Sequence, residues 1–112
     1  MLQRVENRRN FMHCDIAGFT YWDGCMVLED LKIGKTLQLV REKENQFAPY
    51  AVALYYQDMK LGYIPRGNNH ELSLFLDMGY EELFEVRINK LDLDEHPEEQ
   101  VGIIVYIKRK EV

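Results

Sequence analysis

Residues 39–66 read LVREKENQFAPYAVALYYQDMKLGYIPR, and this stretch decides the fold. Two runs rich in aromatic and branched residues, 51–56 and 59–64, flank Gln57-Asp58, which predicts a hairpin of two strands. Residues 37–40 predict a preceding strand, and the polar residues 41–49 a loop between it and the hairpin. Pro65 cannot donate to a sheet ladder, so the hairpin should end there. The sequence therefore predicts that a loop, a hairpin and a Pro-Arg exit lie close together.

The chain before this stretch predicts one further strand. Residues 11–22 are the strand candidate, and Gly18 within it suggests a bulge or a close backbone approach. Residues 1–10 are polar and are expected to form a frayed tail. Residues 25–31 predict a helical turn or an irregular loop.

The chain after the hairpin predicts a helix and two strands. Asn68 should cap the helix with Glu71 completing a capping box, and Gly79 should end it in a left-handed conformation. Its apolar stripe is Leu72, Phe75 and Leu76. Residues 84–89 alternate between apolar and polar, as a half-buried strand does. The uniformly apolar residues 101–107 predict a strand buried on both faces or covered by the N-terminal segment, and 108–112 a basic tail.

These elements predict a mostly β fold, all-β or α+β, in a single domain over residues 1–112. A small OB-like or SH3-like β barrel with one or two short helices fits them, and the pattern alone does not separate those barrels. The 46% hydrophobic and 29% charged residues are typical of a soluble globular protein. No apolar run approaches the roughly 20 residues of a membrane span, and the N-terminus lacks a signal-peptide stretch, which predicts a cytoplasmic location.

The charge distribution permits a nucleic-acid partner. The net charge is −5, but residues 77–99 hold nine acids and two bases, so the remainder carries a small positive excess. Cys14 and Cys25 are not spaced as a zinc pair, and buried free thiols are expected. We therefore expect no metal or other cofactor.

Binding is a better prospect than catalysis. Ser73 is the only serine, and no glycine-rich phosphate loop is present, so we expect no enzyme. Single strands of nucleic acid bind where aromatic faces meet basic residues. The candidate stacking rings are Tyr21, Trp22, Phe47, Tyr50 and Tyr63, and the candidate phosphate contacts are Arg41, Lys43, Lys60 and Arg66. The alternative is that the rings pack into the barrel wall and that Arg41 pairs with Glu42 or Glu44.

The order of several short motifs resembles the HIRAN domain. They are Gly18, Tyr21-Trp22, LVRE at 39–42, Glu44-Asn45, AVAL at 51–54 and LGYIPR at 61–66, within roughly residues 11–91. That family occurs at the N-terminus of some Swi/Snf-type DNA translocases and as small free-standing bacterial proteins, and this chain looks like the latter. The resemblance implies an OB-like or SH3-like barrel. It also implies a pocket for the free 3′ end of single-stranded DNA, in a DNA repair or processing context.

The resemblance carries site residues over position by position. Its aromatic pair is Tyr21-Trp22, its loop residues are Asn45 and Phe47, and its hairpin exit is Tyr63 and Arg66. Three positions depart from the pattern: Thr20 stands for Arg, Ala48 for Asp and Tyr50 for Asn. Losing the carboxylate at position 48 removes a charged hydrogen bond of about 1.5–3 kcal/mol, which weakens the expectation of end binding. The predicted binding residues are Tyr21, Trp22, Arg41, Asn45, Phe47, Tyr63 and Arg66.

A rival hypothesis is a non-catalytic protein-interaction module that has lost DNA-end binding. The acidic residues between positions 77 and 99 could steer a basic partner, although a solvated acidic face also explains them. Under the first hypothesis the partner is single-stranded DNA or another nucleic acid, with any DNA-processing enzyme supplied in trans. Neither hypothesis involves a membrane.

Overall fold

The computed structural model describes residues 7–110, which form one antiparallel sheet and one α-helix. The strands are β1 (Arg8–Asp15), β2 (Thr36–Arg41), β3 (Val52–Tyr56), β4 (Met59–Tyr63), β5 (Phe84–Leu91) and β6 (Val101–Lys108), and the helix is α1 (His70–Asp77). The strand order is β1-β6-β5-β2-β3-β4. This arrangement confirms the prediction of a mostly β fold. No helix among the described residues is long and apolar enough to cross a membrane.

The central hairpin is present as predicted. β3 and β4 pair from Tyr56 opposite Met59 to Ala53 opposite Tyr63, with a bulge after Leu54. Gln57 makes the turn in a left-handed conformation, with a φ of 53°. The predicted strand before the loop is β2, which pairs with β3 on one side and β5 on the other.

The two edges of the sheet meet at one point. Ala17, just beyond β1, exchanges two backbone hydrogen bonds with Tyr63 of β4, at 2.8 and 2.9 Å. Gly62 permits this contact, since its φ is 147° and an added Cβ would collide with the carbonyl oxygen of Ala17. The same Cβ would lie 2.6 Å from Cγ2 of Ile16. The sheet is thus curled like a barrel without being closed by a continuous ladder.

The first strand differs from its prediction at both ends. β1 begins at Arg8, inside the predicted tail, because Arg8 pairs with Lys108 of β6. It ends at Asp15, and Gly18 then adopts a left-handed conformation (φ 73°) that interrupts the extended chain. Three short 3₁₀ helices follow, Phe19–Tyr21, Asp23–Met26 and Leu28–Asp30. The first replaces the end of the predicted strand, and the other two overlap residues 25–31, where the sequence predicts a helical turn or an irregular loop. Residues 1–6 of the predicted tail, and 111–112 of the basic one, lie outside the described residues.

The helix is present, but its predicted cap is wrong. α1 is preceded by Asn69, not Asn68, and no side chain caps it, because Asn69 itself is nearly helical and buried. Leu72 and Leu76 face the core as predicted. Gly79 follows the helix with a φ of 87°, the left-handed residue expected there.

The last two strands are present, but β6 is not buried on both faces. Val101, Ile103 and Val105 lie in the core, while Ile104 and Tyr106 on the other face are only half-buried. β1 lies beside β6 in the sheet instead of covering it, which leaves that face open. Neither cysteine is fully buried: Cys14 is half-buried and Cys25 is exposed, and both are free thiols.

Candidate functional site

A cleft of about 710 Å³ opens where the two sheet edges meet. Its walls come from the turn after β1, the loop after β2, the end of β4 and the segment before α1. Five of the seven predicted binding residues line it: Trp22, Asn45, Phe47, Tyr63 and Arg66. Some of the lining residues have small side chains or none, which leaves open space inside the cleft: Ala17, Gly18, Ala48 and Ala51.

Trp22 and Tyr63 form one wall and are not enclosed in the core. Trp22 is 41% exposed, and its ring meets that of Tyr63 edge to face with centroids 5.8 Å apart. The indole edge also lies beside Gly18, where a Cβ would be 3.6 Å from Nε1. The indole therefore has fixed neighbours and still reaches the open cleft.

A second wall is formed by Phe47 and Arg66. The Phe47 ring is 84% exposed, so its faces are accessible to a ligand. A guanidinium N–H of Arg66 donates to the carbonyl oxygen of Phe47 at 3.0 Å. An arginine has five N–H donors, so the exposed Arg66 keeps others for an anionic ligand.

Asn45 shapes the loop from within. Its Oδ1 accepts from the backbone N–H groups of Phe47 and Ala48, at 2.9 and 3.0 Å. Its Nδ2 donates to Glu42 at 3.2 Å. These bonds hold the loop in the turn that places the Phe47 ring over the cleft.

Glu42 is the centre of a polar cluster behind the Trp22–Tyr63 wall. Its carboxylate accepts from Lys60 at 2.7 Å, from the Tyr63 hydroxyl at 2.9 Å and from Asn45. Burial raises the pKa of this carboxyl, but the bonds from Lys60, Tyr63 and Asn45 outweigh burial, so its pKa is lowered. Partial burial lowers the pKa of Lys60, but its bonds to Glu42 and Tyr63 more than reverse this and raise it. The charged pair is therefore maintained across the neutral pH range.

The structure places the two remaining predicted residues outside the cleft. The Tyr21 ring is 83% exposed but is not among the cleft-lining residues. Arg41 binds Asp77 at 2.8 Å and the carbonyl oxygens of Ala51 and Pro49 at 3.1 and 2.9 Å. Its guanidinium ties the loop to α1, and its partner is neither Glu42 nor Glu44.

The other candidate side chains also have neighbours outside the cleft. Tyr50 packs on the His70 ring, with centroids 4.2 Å apart. Lys43 is largely exposed, with its Nζ 3.8 Å from a carboxylate oxygen of Asp77. Lys60 packs behind Trp22 and belongs to the cluster around Glu42.

The sequence does not indicate the roles that Asn69 and Glu98 have at the cleft. Asn69 is buried and lines it, whereas the sequence pointed to its neighbour as a helix cap. Glu98, in the acidic segment predicted to be solvated, accepts a hydrogen bond from the backbone N–H of Gly18 at 2.9 Å. Nothing local in the sequence marks either role, because both depend on distant segments meeting.

The family comparison agrees with this geometry. A family model described as HIRAN domain matches residues 10–110. The chain belongs to the HIRAN domain family. This confirms the resemblance read from the motifs, and the HIRAN domain is known as a nucleic-acid-binding module. A search of curated proteins gives no match.

Solved structures share the fold. The chain is similar to a protein from Lactobacillus plantarum, determined by a structural genomics consortium, with a TM-score of 0.77 and 23% identity over 91% of this HIRAN chain and 97% of the other. It is also similar to the HIRAN domain of human HLTF, with a TM-score of 0.67 and 13% identity over 94% of this chain and 82% of that one. At these identities the likeness concerns the fold alone.

Proposed function

We propose that the cleft binds single-stranded DNA, with a strand terminus inserted between its walls. The observation that supports this best is the convergence of Trp22, Phe47 and Arg66 on one open concavity. The two rings offer stacking faces, and the guanidinium offers donors for a phosphate. Such contacts need no base-specific hydrogen bonds, so binding should tolerate any sequence.

The departures from the family pattern limit the preference for a free 3′ end. Ala48 lines the cleft at the position where the family carries a carboxylate, and a methyl group cannot accept a bond from a sugar hydroxyl. We infer that this HIRAN domain holds a strand mainly by stacking and phosphate contact and discriminates weakly between free and blocked ends. In a repair or processing context it would deliver DNA to an enzyme supplied in trans.

Fluorescence anisotropy with a labelled single strand tests the proposal. Trp22→Ala should weaken binding about tenfold, since stacking on one ring contributes about 1–3 kcal/mol. Arg66→Ala should weaken binding and also reduce its salt dependence by about 0.7 in log–log slope, as one phosphate contact is lost. Lys32→Ala is the matched control, since it removes one positive charge from an exposed residue outside the cleft.

The 3′ terminus is tested with paired strands that carry either a free hydroxyl or a 3′ phosphate. We expect similar affinities for the wild type and a gain for the free hydroxyl in Ala48→Asp. Absence of binding to any single strand at low salt would refute the proposed function.

A protein-interaction role is the second candidate. The residues between 92 and 99 are all exposed and include Asp92, Asp94, Glu95, Glu98 and Glu99. Exposed like charges of this density attract a basic partner at a distance, and salt weakens that attraction. Capture of a basic protein that is lost on replacing Glu95 and Glu99 by lysine, without any DNA binding, would favour this role.

A further inference from the structure

Lys60 lies behind the cleft and joins three parts of its wall. It sits on β4 with its side chain only 14% exposed, and it is not among the cleft-lining residues. Its Nζ lies 2.7 Å from a carboxylate oxygen of Glu42 and 3.0 Å from the Tyr63 hydroxyl. The same Nζ is 4.1 Å from the centroid of the Trp22 ring. One ammonium group thus contacts the loop, the hairpin and the turn after β1.

The contact with Trp22 has a geometric consequence. An indole has two faces, and the ammonium covers one of them at cation–π distance. The indole edge lies beside Gly18, and the ring also makes an edge-to-face contact with Tyr63. The indole therefore presents a single face to the cleft. A base can stack on that face without first selecting a rotamer of the ring.

Glu42 holds the ammonium in place. Its carboxylate lies against Lys60 and also binds Tyr63 and Asn45, so the position of the cation is set by the loop that carries Phe47. The pairing also matters energetically, because a charge in a largely buried site is costly without a partner. Together the two residues connect both walls of the cleft through side chains that do not face it.

We propose that Lys60, held by Glu42, is a positioning residue of the cleft that fixes the Trp22 ring with one face toward the bound strand. This inference rests on the proposed function, since it assigns the Trp22 face to a nucleic-acid base. Neither residue needs to touch the DNA. The pair acts by keeping the stacking surface preorganised.

Trp22 is the only tryptophan of the chain, so its fluorescence reports on this site alone. Lys60→Met keeps the length of the side chain and removes the charge, whereas Lys60→Arg keeps a cation that can stack on an indole. Lys35→Met is the matched control, because Lys35 also lies near a ring, with its Nζ 5.8 Å from the Tyr56 centroid, but outside the cleft. Each variant is measured for tryptophan emission without DNA, for urea stability, and for anisotropy with a labelled oligothymidylate of about ten nucleotides.

We expect Lys60→Met to shift the Trp22 emission without DNA and to weaken oligothymidylate binding about fivefold or more. Lys60→Arg should restore wild-type affinity to within about twofold, and Lys35→Met should change neither readout. Retained affinity in Lys60→Arg would distinguish the effect of the cation on Trp22 from a general loss of stability. Urea unfolding measures that stability in the same samples.

The opposing results are distinct. Unchanged emission and unchanged affinity in Lys60→Met would overturn the inference, as would equal losses in Lys60→Met and Lys60→Arg. A wild-type protein that binds no oligothymidylate would refute the proposed function and the DNA part of this inference together. In that case an emission shift in Lys60→Met would still establish the contact between Lys60 and Trp22.

Discussion

Replacing Gly62 by alanine tests whether the single contact between the sheet edges maintains the cleft. An added Cβ would collide with the Ala17 carbonyl oxygen, an atom of the backbone that cannot rotate away. The chain at Gly62 also has a φ of 147°, which an alanine adopts only with strain. Relief of the collision requires β4 and Ala17 to separate.

The magnitude follows from the contacts that would be lost. Two backbone hydrogen bonds between Ala17 and Tyr63 contribute about 1 kcal/mol each, and the unfavourable φ costs about 1–3 kcal/mol. We expect a loss of about 3–5 kcal/mol in the free energy of unfolding. This is a large part of the 5–15 kcal/mol typical of small domains. Since Ala17 and Tyr63 both line the cleft, ligand binding should fall as well.

Urea unfolding followed by circular dichroism measures the effect. With a slope of about 1–3 kcal/mol per molar urea, the midpoint should fall by about 2 M, or the variant should be unfolded from the start. Gly67→Ala is the matched control, because no atom lies within 4 Å of its added Cβ and its φ is not positive. That variant should stay within about 0.5 kcal/mol of the wild type. Equal stability of the two variants would refute this account of how the sheet edges meet.

Three further predictions concern the thiols, the loop anchor and pH. At pH 8 Ellman's reagent should modify the exposed Cys25 quickly and Cys14 only after unfolding in guanidinium. The reason is that burial raises the pKa of the Cys14 thiol to about 11, which leaves little reactive thiolate at pH 8. Fast modification of both thiols in the folded protein would contradict this. Arg41→Leu should lower the free energy of unfolding by about 1.5–3 kcal/mol in thermal melts, since Asp77 and two loop carbonyls lose a charged donor, and Arg41→Lys should not restore it. Folding lowers the pKa of Glu42, so its stabilising effect is complete above the ordinary pKa of 4.5 and is lost as pH falls through the lower folded value. The stability gap between wild type and Glu42→Gln should therefore be clear at pH 7 and shrink toward pH 3 in urea titrations, and a constant gap would count against this role.

The parts of the fold that could be predicted are those that depend on local sequence patterns. The hairpin follows from two strand-forming runs around a short turn, and β5 follows from strict alternation. β1 could not be bounded in this way, because its partner is β6 at the far end of the described chain and its start depends on that pairing. Phe19 lies within the predicted strand 11–22, but it is buried by a 3₁₀ turn and not by a strand.

The site was predictable where residue type and family order agree. The sequence predicts Trp22, Phe47 and Arg66 as two rings and a cation on nearby segments, and the structure brings them to one cleft. The partner of Arg41 could not be foreseen, because Asp77 lies on a helix whose docking angle the sequence does not state. The sequence suggests Lys60 as a phosphate contact, but its ammonium group bonds to Glu42 instead, which only the side-chain geometry reveals.

The strand order also makes the first strand depend on one that is synthesised after the hairpin. β1 leaves the ribosome before the hairpin but has no ladder partner until β6 is made, and Ile16 donates a backbone hydrogen bond to Val101 at the start of that strand. The turn that carries Trp22 follows β1 directly, so its position depends on this pairing. A nascent chain that has exposed the hairpin but not β6 would therefore lack the pairing that holds the Trp22 side of the cleft in place.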